Sequence, residues 1–76
     1  MTRNEFIEKY NGKEWKSASG EARVYLDLEL AMPKRNISRA VRNNVKIWLD
    51  ENNGLQVKGQ VDGYADEVKM DAAAIN

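Results

Sequence analysis

Five basic side chains, Lys34, Arg35, Arg39, Arg42 and Lys46, fall within positions 34–49, a stretch that holds no aspartate or glutamate. A guanidinium presents a planar fork of donors that fits a phosphate or carboxylate with two parallel hydrogen bonds. An arginine-led cluster of this kind is chemistry for docking on phosphates or on an acidic protein patch. The flanks differ: residues 1–33 carry five basic and six acidic side chains, and residues 50–76 carry two and six. The formal charge of zero therefore conceals a dipolar chain. The competing explanation is a solvated helix face whose arginines pair with the acidic C-terminal portion.

Tyr25 and Trp48 form the second candidate. Arg23-Val24-Tyr25-Leu26-Asp27 and Lys46-Ile47-Trp48-Leu49-Asp50 share the order basic, β-branched, aromatic, Leu, Asp. If Val24, Leu26, Ile47 and Leu49 face a core, Tyr25 and Trp48 point the other way, beside Arg23 and Lys46. Gln56, Lys58 and Gln60 take the same orientation on the following strand. Aromatic rings among cations on a sheet can stack single-stranded bases. A helix laid over that face would bury the rings instead.

Catalysis finds little to work with. The chain has no histidine and no cysteine, which excludes disulfides, Cys/His zinc sites, thiol nucleophiles and imidazole acid–base chemistry. Ser17, Ser19 and Ser38 have no base to activate them. Asp50/Glu51 and Asp66/Glu67 are adjacent acids in a turn and a first helical turn, where solvation explains them. No phosphate-cradling glycine motif occurs. Asp50-Glu51-Asn52-Asn53-Gly54 resembles a calcium loop, but its glycine is fifth rather than sixth and Val61 stands where a bidentate glutamate is needed. No catalytic residue, metal ligand or cofactor is expected, and the chain reads as a non-enzyme.

The elements that must position these residues are punctuated by one proline and five glycines. Thr2 and Glu5 form a capping-box pattern ahead of Phe6, Ile7 and Tyr10, so a helix over 2–10 is expected, stopped by Gly12 in the left-handed conformation. Residues 13–17 suggest a short strand around Trp15, with a turn at Ser19-Gly20. Ala22, Val24, Leu26, Leu28 and Leu30 alternate with Arg23, Tyr25, Asp27 and Glu29, which predicts a half-buried strand. Pro33 suits the first turn of a helix over 34–44. There Ile37 and Val41 share one side, and Arg35, Arg39 and Arg42 fall within about 60° of arc on the other, at about 100° per residue.

Residues 45–49 fit either that helix or a strand. The strand is preferred, because Asn53-Gly54 then turns a hairpin and Val45, Ile47, Leu49, Leu55, Val57 and Val61 all point inward. Asp62-Gly63 closes the hairpin. Tyr64, Val68, Ala72 and Ile75 recur at helical spacing over 64–75. The order α-β-β-α-β-β-α predicts an α+β domain with a small antiparallel sheet and flanking helices.

At 76 residues and 8.7 kDa the chain forms at most one domain, over 1–76, burying only about 60–65% of its unfolded surface. A hydrophobic content of 42% against 32% charged is a globular balance. Neutrality argues against an acidic DNA mimic and against a generic basic coat. No apolar run approaches the roughly 18–20 residues of a membrane span, and no signal-peptide core is present. A cytoplasmic protein with no membrane partner is expected.

Tyr10-Asn11-Gly12-Lys13-Glu14-Trp15-Lys16 followed by Arg23-Val24-Tyr25 resembles short uncharacterised phage and prophage proteins, which carry Gly-Lys-x-Trp and then Arg-(Ile/Val)-Tyr after a brief turn. The resemblance covers about fifteen residues and brings no catalytic site. It implies a phage-encoded accessory protein in the cytoplasm of an infected bacterium, a class that includes anti-CRISPR inhibitors acting by stoichiometric docking. The leading expectation is thus a non-enzymatic binding or inhibitor module that meets a protein or nucleoprotein target through Lys34, Arg35, Arg39, Arg42 and Lys46. The alternatives are a small nucleic-acid-binding domain using the same helix plus Tyr25 and Trp48, and a homodimer joined through sheet edges or apolar patches.

Overall fold

The structure, a computed structural model, describes residues 1–33, 38–52, 54–60 and 65–76. Expectations placed on Lys34, Arg35, Ile37, Asn53, Val61, Asp62, Gly63 and Tyr64, and on the Val41 side chain, lie outside the described residues.

Thr2 opens helix α1 (Arg3–Lys9) with the capping box its sequence encodes: its hydroxyl accepts from the Glu5 amide, and the Glu5 carboxylate accepts from the Thr2 amide, both at 3.1 Å. The helix stops on Asn11, which takes the left-handed conformation at φ 50°. Glycine was expected in that role. Gly12 is required for a different reason, since a Cβ there would lie 2.5 Å from Val24 Cγ1.

The chain then forms a hairpin of β1 (Lys13–Lys16) and β2 (Ala22–Tyr25), with Trp15 opposite Arg23 and Lys13 opposite Tyr25. The strand predicted to run to Leu30 ends five residues earlier. Asp27 accepts the Glu29 amide at 2.9 Å and caps a short helix α2 (Leu28–Ala31). A capping carboxylate stabilises a helix start, and Leu28, Ala31 and Met32 at i, i+3 and i+4 give the turn an apolar side. Leu30, expected inward, is 47% exposed. Pro33 follows the cap residue Met32 directly, closing α2 rather than opening the next helix, because proline cannot continue the ladder.

The helix predicted over 34–44 is described as α3 (Arg39–Asn44). Ser38 lies outside it, and its carbonyl accepts the first hydrogen bond, from the Arg42 amide at 2.9 Å. Residues 46–49 form a strand as preferred: β3 (Lys46–Asp50) pairs antiparallel with β4 (Gly54–Lys58), with Asp50 opposite Gly54 and a turn at Glu51 and Asn52. The Asp50 carboxylate accepts from the Asn52 amide at 3.0 Å, a local turn bond that favours reversal. β4 was expected to reach Val61. It ends at Lys58, before Gly59 at φ 94°, where a side chain would run into the Asn44 carbonyl oxygen. The last helix, α4 (Asp66–Ala73), is shorter than predicted.

The four strands form one antiparallel sheet in the order β1-β2-β3-β4. The architecture is the α+β class the sequence predicts, with α2 as an additional short helix. One face of the sheet carries Val24, Ile47 and Leu49. Together with Leu26 and Val45, these residues pack against Phe6 and Tyr10 from α1, Ala31 and Met32 from the α2 end, and Val68 from α4. Val57 stands opposite Ile47 on this face but is 41% exposed, because β4 is an edge strand.

Helices α1 and α4 are clasped by charge. Lys9 Nζ lies 3.0 Å from Glu67 and 2.7 Å from Asp71, and the Tyr10 hydroxyl donates to the same Asp71 oxygen at 2.8 Å. Burial of the ring, followed by the hydrogen bond to Asp71, pushes the Tyr10 phenol up to about 12. Hydrogen bonds from Lys9 and then Tyr10 hold the Asp71 carboxyl below its usual range.

Candidate nucleic-acid interface

Alternation along a strand sends successive side chains to opposite faces. With Val24, Ile47 and Leu49 committed to the core, Arg23, Tyr25, Lys46, Trp48 and Asp50 must project from the other face. The register then fixes their neighbours. Lys13, Tyr25, Trp48 and Gln56 form one row across all four strands, Trp15, Arg23, Asp50 and Gly54 a second, and Lys46 pairs with Lys58. Among the described residues, three aromatic rings and four cations therefore share a surface with the carboxylates of Asp50 and Glu21, the latter paired with Arg23 at 3.3 Å.

The rings touch in sequence. Trp15 and Tyr25 meet edge to face with centroids 6.3 Å apart, and Tyr25 and Trp48 are tilted at 5.9 Å. Such spacings are those of favourable aromatic pairs. Arg23 lies over the Trp48 ring at 4.9 Å and donates to the Tyr25 hydroxyl at 3.3 Å, while Lys46 stands over Tyr25 at 5.9 Å. Each cation meets the electron-rich face of a ring. Trp48 Nε1 and Arg23 Nε are buried without a hydrogen-bond partner. The cation–π contact between the Arg23 guanidinium and the Trp48 indole, at 4.9 Å, offsets part of the cost of those two unpartnered N–H groups.

Exposure grades across the face. Trp15 is 48% exposed, Lys13, Lys46 and Lys58 are exposed, and Tyr25, Trp48 and Arg23 are half-buried by one another. The sequence places Tyr25 and Trp48 on this surface beside Arg23 and Lys46, but passes over Trp15 and Lys13 as members of it. Trp15 was legible in principle: once 17–21 turns the chain, a residue two places from Lys13 shares its face.

The basic cluster of the sequence divides between α3 and the sheet. Arg39 and Arg42 are exposed on α3, and Lys46 is the first residue of β3, on the strand the sequence favours. Lys34 and Arg35 lie outside the described residues. Two acids of the C-terminal portion, Glu67 and Asp71, hold Lys9, and Arg42 pairs with Glu29 of α2. Arg42 and Lys46 border an open hollow of about 730 Å³ shared with Trp15, Tyr25, Leu28 and Glu29, so α3 adjoins the aromatic surface.

Among the described residues, no group of three or more acidic side chains converges as a metal site, and no helix is long and apolar enough to cross a membrane. Comparisons with protein-family models, with curated proteins and with solved structures return no match for the chain.

Proposed function

We propose that this chain is a non-enzymatic binding module that takes single-stranded nucleic acid on the open face of its sheet. One observation carries the reading: the contiguous cluster of Trp15, Tyr25 and Trp48, flanked by Lys13, Arg23, Lys46 and Lys58, on the face opposite the core. Every base has a π-face, so exposed rings receive bases without regard to sequence, and the lysines neutralise the connecting phosphates. Duplex DNA hides its base faces inside the stack and leaves such rings without a counterpart.

Docking through the basic helix is part of the same proposal, because Arg42 and Lys46 adjoin the rings at the hollow. An inhibitor of a nucleoprotein defence complex, the role implied by the resemblance over residues 10–25, would meet its target's exposed strand with this surface.

The chain's two tryptophans, Trp15 and Trp48, both lie on this face, so intrinsic fluorescence reports on it directly. Titration with DNA and RNA single strands of about ten nucleotides should quench the emission, with affinity falling as salt rises. The matching duplexes should bind more weakly. No quenching by either single strand at low salt removes the proposal.

A further inference from the structure

Resting on that reading, we infer that the hollow between α2, α3 and the sheet is the strand's phosphate subsite, and that Glu29 occupies it as an internal competitor in the free protein. The hollow adjoins the aromatic cluster at Trp15 and Tyr25, and Leu28 and two carboxylates line it, Asp27, which caps α2, and Glu29. At about 730 Å³ it falls in the roughly 300–1,000 Å³ range of small-ligand sites. Two cations, Arg42 and Lys46, reach its rim from consecutive elements. Lys46 already leans over Tyr25, so a base on that ring brings its phosphate toward the ammonium.

Arg42 is the cation whose state must change. Its guanidinium is engaged by the Glu29 carboxylate, an oxyanion at the end of a flexible side chain. Both partners are more than half exposed, at 53% and 65%. An exposed pair of this kind contributes only about 0–1 kcal/mol, so exchanging it costs little. A phosphodiester offers Arg42 two oxygens for a bidentate contact at the same single negative charge as Glu29, and the neighbouring phosphates of the strand add to its attraction. Binding therefore transfers Arg42 from Glu29 to the nucleic acid, and Glu29 sets the affinity by competing for that contact.

The test uses the full chain with oligothymidylate and oligouridylate of about ten nucleotides, which separate DNA from RNA as the source of the phosphate. Glu29→Gln should tighten binding by about two- to fivefold, the equivalent of losing a competitor worth up to about 1 kcal/mol. Arg42→Gln should weaken binding and make the salt slope shallower by about 0.7, one phosphate contact to a single strand. In the double variant the gain from Glu29→Gln should vanish. Thermal melts check that each exposed substitution leaves the fold in place. The subsite is overturned if Glu29→Gln fails to tighten binding, or if Arg42→Gln leaves the slope unchanged, while Trp15→Ala still weakens it. The sheet reading then stands alone. If the unaltered chain binds neither oligonucleotide, both fall together.

Discussion

The Tyr10 hydroxyl donates to Asp71 at 2.8 Å across 61 positions of sequence, and Lys9 binds the same oxygen at 2.7 Å. This contact joins the first helix to the last. It also ties stability to pH at the alkaline end. An unfolded tyrosine ionises near about 10, whereas the folded Tyr10 does so at about 12. The stabilisation is complete below the unfolded value and is lost as pH rises toward the folded one. Lys9, raised by its hydrogen bonds to Asp71 and Glu67, acts in the same direction. Melting temperature should therefore fall between about pH 10 and 12. Tyr10→Phe should lessen that fall, at a neutral-pH cost of about 1 kcal/mol or roughly 4–8 °C. An unaltered alkaline limb in the variant contradicts the assignment.

Asp71 produces the opposite dependence. Its folded carboxyl is depressed, so its contribution is present above the ordinary aspartate value of about 3.9 and disappears as pH falls through the folded value. Asp71→Asn should lower the melting temperature at neutral pH and flatten the acid limb below about pH 4. Circular dichroism melts across the acid range read this directly, and parallel acid limbs for variant and parent count against it.

Gly12 tests the packing of α1 against the sheet without touching the aromatic face. A Cβ there meets Val24 Cγ1 at 2.5 Å and Ile7 Cγ2 at 3.2 Å. Val24 is fully buried in the core, so it has little room to withdraw. Gly12→Ala should cost about 1–3 kcal/mol, read as a lower denaturant midpoint with an unchanged slope. A variant as stable as the parent shows that Val24 can rotate clear.

Period-two patterning made the sheet legible where both faces had work to do. Val24 and Tyr25 on β2, and Ile47 to Leu49 on β3, alternate between a core and a ring-bearing surface, and their register follows. The same pattern misled at Leu26-Asp27-Leu28-Glu29-Leu30, which alternates equally well as a strand. There Asp27 captures the Glu29 amide, and a single capping bond outweighs the apparent alternation. The start of the basic helix was less legible. A periodic helix over 34–44 ignores Ser38, which stands outside α3 as the acceptor of its first hydrogen bond. Trp15 was passed over because strand β1 is exposed at all four positions, leaving no apolar side to reveal which way the ring points.

The two tryptophans should separate binding from folding. Trp15 sits on an edge strand, 48% exposed, and touches Tyr25 edge to face. Trp15→Ala should change stability by no more than about 0.5 kcal/mol, yet weaken single-strand binding by about 5- to 150-fold, the equivalent of about 1–3 kcal/mol of base stacking. Trp48 is half-buried between Tyr25 and the Arg23 guanidinium. Trp48→Ala should cost about 2 kcal/mol of stability, less than the 3–5 typical of a fully buried tryptophan, and it should weaken binding as well by releasing Arg23. Paired thermal melts and fluorescence-anisotropy titrations with labelled oligonucleotide measure both effects. Loss of stability without loss of affinity in either variant shows that the rings only hold the sheet together, and the stacking surface must then be abandoned.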